Sequence, residues 1–357
     1  MSAARRAAAV LLGGVFACVL LEVLARVTGL GPPPPTPTGY VADPVLPYRL
    51  RPDAAGVAEL ARDGARIPFQ HNGRGFQDRD RRPGPLPGTW RIVALGDSFT
   101  YGAGAPPQEG WPAQLERMLA ARPSCDVPVE VINLGVPRYF PAAERLLLRE
   151  EGLRYAPDVV LVAVTPNDVI DTYLGLDAVT VNSSGYLVPR AAQALGPFAV
   201  ALLLHSQLAR AALHALYTPH AARGAPASPE ALYVRDGFYE PDWRAMEADL
   251  AALVADARRH GAVVVVLGVP QSGITDPQVD AFDHRLAQWS TDAGVGYVSV
   301  LAALRAADTL EPMYWRYDGH CRPAGYRVIA ERLAAELAHA GLAPCEPPPP
   351  LTRNGER

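Results

Sequence analysis

The sequence predicts an α/β protein in which a parallel sheet is covered by helices on both faces and preceded by one apolar helix. From residue 89 onward, apolar runs of strand length alternate with amphipathic segments of helix length, which is typical of such a sheet. These runs are apolar almost throughout, as expected for strands that are buried on both faces. The 357 residues are enough for one large α/β domain with additions, or for two small domains.

The N-terminus carries the signature of export. Arg5 and Arg6 precede a long apolar run, and residues 1–30 are predicted to form a signal anchor, a transmembrane helix with a cytoplasmic start. A cleaved signal peptide is the alternative, because the small residues before Cys18 and before Arg26 resemble cleavage sites. In both cases the rest of the chain is expected outside the cytoplasm, in the periplasm or the extracellular space.

Proline-rich sequence flanks the regular part of the chain. Residues 31–88 are predicted to be a proline-rich linker and lead-in with room for short strands, and residues 344–357 a proline-rich tail. Residues 89–343 form the predicted α/β domain. Within it, residues 171–240 interrupt the alternation and are predicted to be a cap-like insertion. Its apolar stretch around Pro197 is expected to be a buried cap helix, too short to span a membrane.

Five strands and five helices are predicted in chain order. The strand candidates are apolar runs bounded by turn residues, at 90–96, 129–136, 158–165, 262–270 and 295–300. The helix candidates are amphipathic segments, at 111–121, 141–155, 242–261, 277–294 and 322–341. Pro112 suits the first turn of the first helix, and Gly261 suits the end of the third.

The composition argues against several kinds of partner. The formal charge of −4, with 20% charged residues, gives no basic surface for nucleic acid, so no nucleic-acid partner is predicted. The four cysteines show no Cys/His spacing typical of a metal site, so neither a metal nor another cofactor is predicted. The sequence indicates no particular oligomeric state.

Polar residues follow three of the predicted strands and precede the last helix. Ligands gather at the carboxyl ends of parallel strands, so these residues are expected to share one edge of the sheet. They are Gly96, Asp97 and Ser98 after the first strand, Gly135 after the second, Asn167 and Asp168 after the third, and Asp318 and His320 before the last helix. Each alone suits a turn or a helix cap, but their joint occurrence at one edge favours a catalytic site.

The chemistry of these residues is that of acyl transfer. A serine such as Ser98 becomes a nucleophile when a neighbouring base accepts its proton, and His320, flanked by a carboxylate, suits that role. Asp318 would fix the tautomer of His320 and stabilise its charged form. The backbone N–H groups of Ser98 and Gly135 and the side-chain amide of Asn167 would form an oxyanion hole.

The same residues carry a resemblance to a known family. The stretches "GDSFTYG" around Ser98, "NLG" ending at Gly135, "TPND" with Asn167 and "DGHCRPAGY" with Asp318 and His320 resemble the motifs of SGNH hydrolases, also called GDSL esterases and lipases. The resemblance covers residues 89–342, and the preceding segments resemble exported, membrane-anchored bacterial members. It implies a flavodoxin-like three-layer sandwich with a five-stranded parallel sheet. It also implies serine-dependent ester hydrolysis without a metal.

Two departures from the family pattern bear on the site. Thr165 stands where the third motif usually begins with glycine. Asp318 and His320 are two residues apart, where three is common, and this Asp-x-His spacing resembles relatives that include polysaccharide O-acetylation proteins. The shorter spacing leaves open whether water or a glycan accepts the acyl group.

Other residues are predicted to support the site or the fold. Asp97 and Asp168 are expected to order the loop of the nucleophile and that of the third motif. In the implied flavodoxin-like order the first and last helices lie side by side, which makes Cys125 and Cys345 candidates for a disulfide. Cys321 would then remain free beside the predicted catalytic histidine.

The leading hypothesis is an extracytoplasmic serine esterase that hydrolyses small acyl esters. Its partners would be the membrane, through the N-terminal helix, and a small-molecule or glycan acyl ester, such as an O-acetyl group on an envelope polysaccharide. One alternative is an O-acetyltransferase that uses the same residues to modify a polysaccharide. The other is a non-catalytic glycan-binding module that keeps the fold.

Overall fold

The computed structural model describes residues 2–30, 39–60, 62–122, 127–182, 185, 187–190, 197–212, 240–271 and 277–343. The chain divides into two compact units. The first comprises Met1–Pro37 and Val179–Ser228, and the second comprises Thr38–Ala178 and Pro229–Arg357. Cys125 and Cys345 lie outside the described residues, so their disulfide stays a prediction.

The second unit contains the predicted parallel sheet. In chain order the strands of the described residues are β1 (Tyr40–Val41), β2 (Arg49–Leu50), β3 (Ala55–Leu60), β4 (Ala65–Gln70), β5 (Trp90–Leu95), β6 (Val129–Asn133), β7 (Val159–Val164), β8 (Val179–Val181), β9 (Leu187–Pro189), β10 (Val263–Gly268) and β11 (Gly296–Ser299). Strands β6, β5, β7, β10 and β11 form one five-stranded parallel sheet in that order. This is the flavodoxin-like order, so the expected fold class is confirmed.

The helices of the described residues are, in chain order, α1 (Ala3–Thr28), α2 (Ser98–Tyr101), α3 (Trp111–Ala120), α4 (Pro141–Glu150), α5 (Asn167–Leu174), α6 (Pro197–His205), α7 (Glu240–Arg259), α8 (Pro277–Asp292), α9 (Leu301–Asp308) and α10 (Pro323–His339), with short 3₁₀ turns at Pro107–Glu109 and Gly152–Tyr155. Helices α1 and α6 belong to the first unit, and the others belong to the second unit, where they flank the sheet and connect its strands. Helices α2, α5 and α9 were not predicted. Helix α5 begins directly after Pro166, within a motif whose Asn and Asp residues indicated only a turn.

Two helical layers cover the sheet. On one face, Trp111 and Leu115 of α3 pack with Tyr326 and Leu333 of α10 against alternate residues of the central strands. Successive residues of a strand point to opposite faces, so the remaining strand residues face the layer of α4, α5 and α7. All six residues of β7 are fully buried, which explains its continuous apolar sequence.

The described residues of the lead-in, which are 39–60 and 62–88, belong to the second unit. Strands β3 and β4 form an antiparallel hairpin, and residues before and after it bond to the α/β domain. The Tyr48 hydroxyl donates to the Pro137 carbonyl at 2.7 Å, and Arg49 pairs with Glu151 at 2.8 Å. The hairpin is hard to predict because its strands alternate small and polar residues with few large apolar ones.

The first unit contains the apolar N-terminal helix. Helix α1 includes a 20-residue segment, Ala9–Thr28, that is long and apolar enough to cross a membrane. Near its end, the Glu22 carboxylate accepts hydrogen bonds from the Ser206 hydroxyl (2.7 Å) and from the backbone N–H groups of Gln207 (2.9 Å) and Leu208 (3.0 Å). These N–H groups begin the helical residues 207–212 of the insertion, which Glu22 therefore caps.

Helix α6 of the insertion is not the buried cap helix that was expected. The Phe198 side chain is 81% exposed and the Leu202 side chain 47% exposed. The helix is apolar around its whole circumference, so packing against one neighbour leaves apolar side chains uncovered.

Candidate active site

The loop that carries Ser98, the predicted nucleophile, follows strand β5 of the parallel sheet. Gly96 allows a close approach, since a Cβ at this position would lie 2.1 Å from Thr100 Oγ1. Asp97 caps the short helix α2, and its Oδ1 accepts a hydrogen bond from the Phe99 N–H at 2.8 Å. Ser98 is therefore held at the first position of α2, at the carboxyl edge of the sheet. The backbone N–H of Ser98 has no hydrogen-bond partner among the described residues.

Ser98, His320 and Asp318 form a continuous chain of hydrogen bonds. His320 Nε2 lies 2.8 Å from Ser98 Oγ, and His320 Nδ1 lies 2.7 Å from Asp318 Oδ1. Burial raises the pKa of Asp318, but the hydrogen bond from His320 outweighs it and holds that pKa below the ordinary range. The structure thus brings together the three residues expected to form a catalytic triad.

A closed loop presents the imidazole. The Trp315 N–H donates to the His320 carbonyl at 2.9 Å, and the Gly319 N–H donates to the Trp315 carbonyl at 3.0 Å. Trp315 Nε1 also donates to the Gly104 carbonyl at 2.8 Å, which ties the loop to the residues after the nucleophile. This turn explains how an aspartate two residues before the histidine can reach its Nδ1.

Asn167 lies at the centre of a polar network. Its Oδ1 accepts hydrogen bonds from the Thr165 hydroxyl (2.7 Å) and from Gln271 Nε2, and its Nδ2 donates to Asp97 Oδ2 and to Asp171 Oδ2, both at 3.2 Å. Thr165, which replaces the usual glycine, therefore adds a hydroxyl that orients the amide. Gln271 directly follows Pro270 at the carboxyl end of β10. The only signal in the sequence for a role of Gln271 was its position after a predicted strand, at the carboxyl edge of the sheet.

Gly135 differs from the expectation of a free oxyanion donor. Its backbone N–H donates to Asn133 Oδ1 at 2.9 Å. A Cβ at this position would lie 2.1 Å from the Tyr101 nitrogen, so the glycine is needed for the close packing of this turn on α2. To donate to an oxyanion, as predicted, the Gly135 N–H would first have to give up its hydrogen bond to Asn133.

Arg138, three residues later, was not singled out from the sequence. Its backbone adopts the left-handed conformation, with a φ of 65°, which is uncommon outside glycine. The backbone N–H of Arg138 has no partner among the described residues, and its guanidinium donates to Asp171 Oδ1 at 3.1 Å. Arg138 and Asn167 thus share the carboxylate of Asp171.

Three buried carboxyl groups lie behind the site. Asp97, Glu144 and Asp168 are almost completely buried, and burial raises the pKa of each. Repulsion from the charge of Asp97 raises the pKa of Glu144 and Asp168 further. Asp168 Oδ2 accepts a hydrogen bond from the Thr165 N–H at 2.9 Å and so fixes the third motif. Neither oxygen of Glu144 has a hydrogen-bond partner among the described residues.

Glu144→Gln is expected to stabilise the protein at neutral pH and to have little effect near pH 4. Because burial raises the pKa of Glu144 in the folded state, the native form favours the protonated carboxyl, and this contribution to stability is lost as the pH rises. The gain from the substitution should therefore grow above about pH 4.5, by at most about 1.4 kcal/mol per pH unit. Urea unfolding at several pH values measures it, with Glu150→Gln on the same helix as the control. A pH-independent difference would contradict the prediction.

Cys321 directly follows His320 in the sequence, and its side chain is completely buried. Burial raises the pKa of the Cys321 thiol far above its ordinary value, so Cys321 is a packed side chain and does not compete with Ser98 as a nucleophile. Among the described residues, no group of three or more His, Cys, Asp or Glu side chains is arranged to hold a metal ion.

One family model and several solved structures are similar to this chain. The model of the GDSL-like lipase/acylhydrolase family matches residues 94–328. Similar structures include a member of the lipolytic protein G-D-S-L family from Veillonella parvula, at 14% identity over 70% of this chain and 98% of that one, with a TM-score of 0.42. A catalytic mutant of Axe2, an acetylxylan esterase from Geobacillus stearothermophilus, is 17% identical over 70% and 94%, with a TM-score of 0.40. The psychrotrophic esterase EstA from Pseudoalteromonas sp. is 15% identical over 70% and 97%, with a TM-score of 0.40. No curated protein matches the chain.

Proposed function

The chain belongs to the GDSL-like lipase/acylhydrolase family, and from this membership we propose that it is an extracytoplasmic serine esterase acting on small acyl esters, such as O-acetyl groups. Family membership makes it a hydrolase of ester bonds. The observation that carries the finer proposal is the chain of hydrogen bonds from Ser98 through His320 to Asp318.

Each member of the triad has a distinct role in this proposal. Ser98 Oγ attacks the ester carbonyl while His320 Nε2 accepts the hydroxyl proton, which His320 then gives to the departing alcohol. Asp318 holds the imidazole in the tautomer that leaves Nε2 free to accept, and its low pKa keeps the carboxylate charged as the imidazolium forms. Water, activated by His320 in the same way, hydrolyses the acyl-serine.

The oxyanion is stabilised by three donors in this proposal. The N–H groups of Ser98 and Arg138 carry no other hydrogen bond among the described residues, so we assign them as two of the donors. Asn167 supplies the third when its long 3.2 Å bond to Asp171 is exchanged for the oxyanion. The predicted donor Gly135 would first have to release Asn133, which makes Arg138 the better candidate.

Retention at the membrane is the second part of the proposal. Cleavage before Arg26 would detach Glu22 and leave the backbone N–H groups of Gln207 and Leu208 without their acceptor, whereas cleavage before Cys18 would retain Glu22. The contacts that Glu22 makes with the insertion therefore support an anchor that is not cleaved before Arg26.

The full-length protein is expected to remain in the membrane fraction after a high-salt wash, with an intact N-terminus. N-terminal sequencing and mass measurement of a C-terminally tagged protein test this expectation. The control is the same protein with residues 1–30 replaced by a cleavable signal peptide, which should be released in soluble form. A soluble mature wild-type protein beginning at Cys18 or Arg26 would contradict the anchor.

A further inference from the structure

The β3–β4 hairpin of the lead-in is bonded to the loop that carries the catalytic Asp318. Asp63, in the hairpin turn, accepts hydrogen bonds from the Tyr317 N–H at 3.1 and 3.3 Å and from the Asp318 N–H at 3.0 Å. One carboxylate thus holds two consecutive backbone groups of the catalytic loop. The hairpin lies outside the region matched by the family model, which begins at residue 94.

This contact assembles a cationic aromatic surface next to the triad. The Arg62 guanidinium lies 4.2 Å from the centre of the Tyr317 ring, and the Arg316 guanidinium lies 5.3 Å from it. Tyr317 is 49% exposed, and both arginines are exposed as well. The cation–π contacts orient the guanidinium groups but leave their N–H donors available to a ligand.

Neither Arg62 nor Arg316 pairs with a carboxylate of the described residues. Arg66 on the same hairpin, by comparison, lies 3.4 Å from Glu59. The two carboxylates nearest to the surface are occupied, because Asp63 accepts backbone N–H groups and Asp318 accepts from His320. Two exposed positive charges, for which the described part of the chain offers no carboxylate partner, therefore lie directly beside the catalytic loop.

We infer that Arg62, Tyr317 and Arg316 form a binding surface for an acidic polysaccharide, whose esterified sugar reaches Ser98 while neighbouring carboxylates bind the guanidinium groups. Guanidinium matches the geometry of a carboxylate in a bidentate manner, and two cations against one ring suit a repeating anionic chain. The inference rests on the proposed esterase function and adds the class of substrate to it.

Paired esters test the inference on the full-length protein. Initial rates are measured on O-acetylated polygalacturonate, which is acidic, on O-acetylated glucomannan, which is neutral, and on p-nitrophenyl acetate. The double variant Arg62→Gln/Arg316→Gln is expected to lower the preference for the acidic polymer, as the ratio of kcat/KM values, by about tenfold, mainly through KM. Added NaCl should reduce the wild-type preference in the same direction.

The matched control removes two positive charges elsewhere. Arg327 and Arg332 are exposed residues of α10 with carboxylate neighbours, and Arg327→Gln/Arg332→Gln should keep the wild-type preference. An equal loss of the preference for the acidic polymer in both double variants would mean that only net charge matters, and it would overturn the inference. If the variant Arg62→Gln/Arg316→Gln keeps the same preference for the acidic polymer as the wild-type protein, the inference is overturned as well.

A binding measurement separates this inference from the catalytic proposal. The Ser98→Ala variant is tested for retention on unesterified polygalacturonate by affinity electrophoresis, with and without the two arginine substitutions. Retention that depends on Arg62 and Arg316 supports the binding surface. If the wild-type protein nevertheless fails to hydrolyse p-nitrophenyl acetate, only the esterase proposal fails. Equal retention with and without the arginines, or arginine-dependent retention on anionic phospholipid vesicles only, overturns the inference.

Discussion

Ser98→Ala is expected to lower the hydrolysis of p-nitrophenyl acetate by about 10⁴-fold or more. The substitution removes the oxygen that lies 2.8 Å from His320 Nε2, and no other nucleophile is poised near the imidazole in the described structure. The oxyanion donors and the imidazole remain in place, so only a residual rate from positioning should persist. A fluorophosphonate probe, which reacts with activated serines, should no longer label the protein.

Ser290→Ala is the matched control for the loss of a serine hydroxyl. Ser290 is completely buried on α8, and its hydroxyl has no hydrogen-bond partner among the described residues, so this variant should keep both activity and labelling. Unchanged turnover by Ser98→Ala would remove Ser98 from the mechanism. Absence of labelling in the wild-type protein would instead favour the non-catalytic alternative.

Asp318→Asn is expected to lower kcat by about 10² to 10⁴-fold, with a smaller change in KM. An amide at this position can donate its own N–H to His320 Nδ1, and the imidazole would then carry its proton on Nε2, where it cannot accept from Ser98. The variant also lacks the negative charge that stabilises the imidazolium. Because the carboxylate of Asp318 is partly exposed, solvent can replace part of that stabilisation. This exposure is the reason why the expected range for the loss of kcat extends down to about 10²-fold.

Steady-state kinetics of the purified full-length protein measures this effect, with Asp280→Asn as the control. Asp280 is an exposed aspartate that pairs with Arg305 at 2.6 Å, and its substitution should leave the kinetic constants near those of the wild type. An unchanged kcat in Asp318→Asn would mean that another group orients His320.

The sheet and the hydrogen-bonded group of Ser98, His320 and Asp318 could be predicted because their signals in the sequence are local. Strand β7 is buried on both faces and therefore reads as an unbroken apolar run, and its neighbours behave in the same way. Ser98, Asp318 and His320 follow turn residues at positions where any parallel sheet places its ligands. The order of the strands followed from the family resemblance.

The donors that we propose for the oxyanion could be predicted only in part, because their availability depends on backbone geometry. The sequence shows a glycine at 135, but the donation of its N–H to Asn133 is visible only in three dimensions. A left-handed arginine such as Arg138 has no signal in a single sequence. Gln271 contacts Asn167, which lies 104 positions away in the sequence, and Asp63 contacts Asp318, which lies 255 positions away. No local sequence pattern encodes contacts between residues so far apart.

The packing of the lead-in has a practical consequence for anyone who shortens this protein. A fragment that starts at Trp90 would retain all four motifs and the whole region matched by the family model, and its sequence alone would indicate a complete enzyme. It would lack Asp63, which fastens the catalytic loop, and His71, whose ring lies 3.0 Å from the hydroxyl of Tyr101 beside the nucleophile helix. The smallest piece that should behave as an autonomous catalyst therefore begins near residue 39, about fifty residues before the recognisable domain.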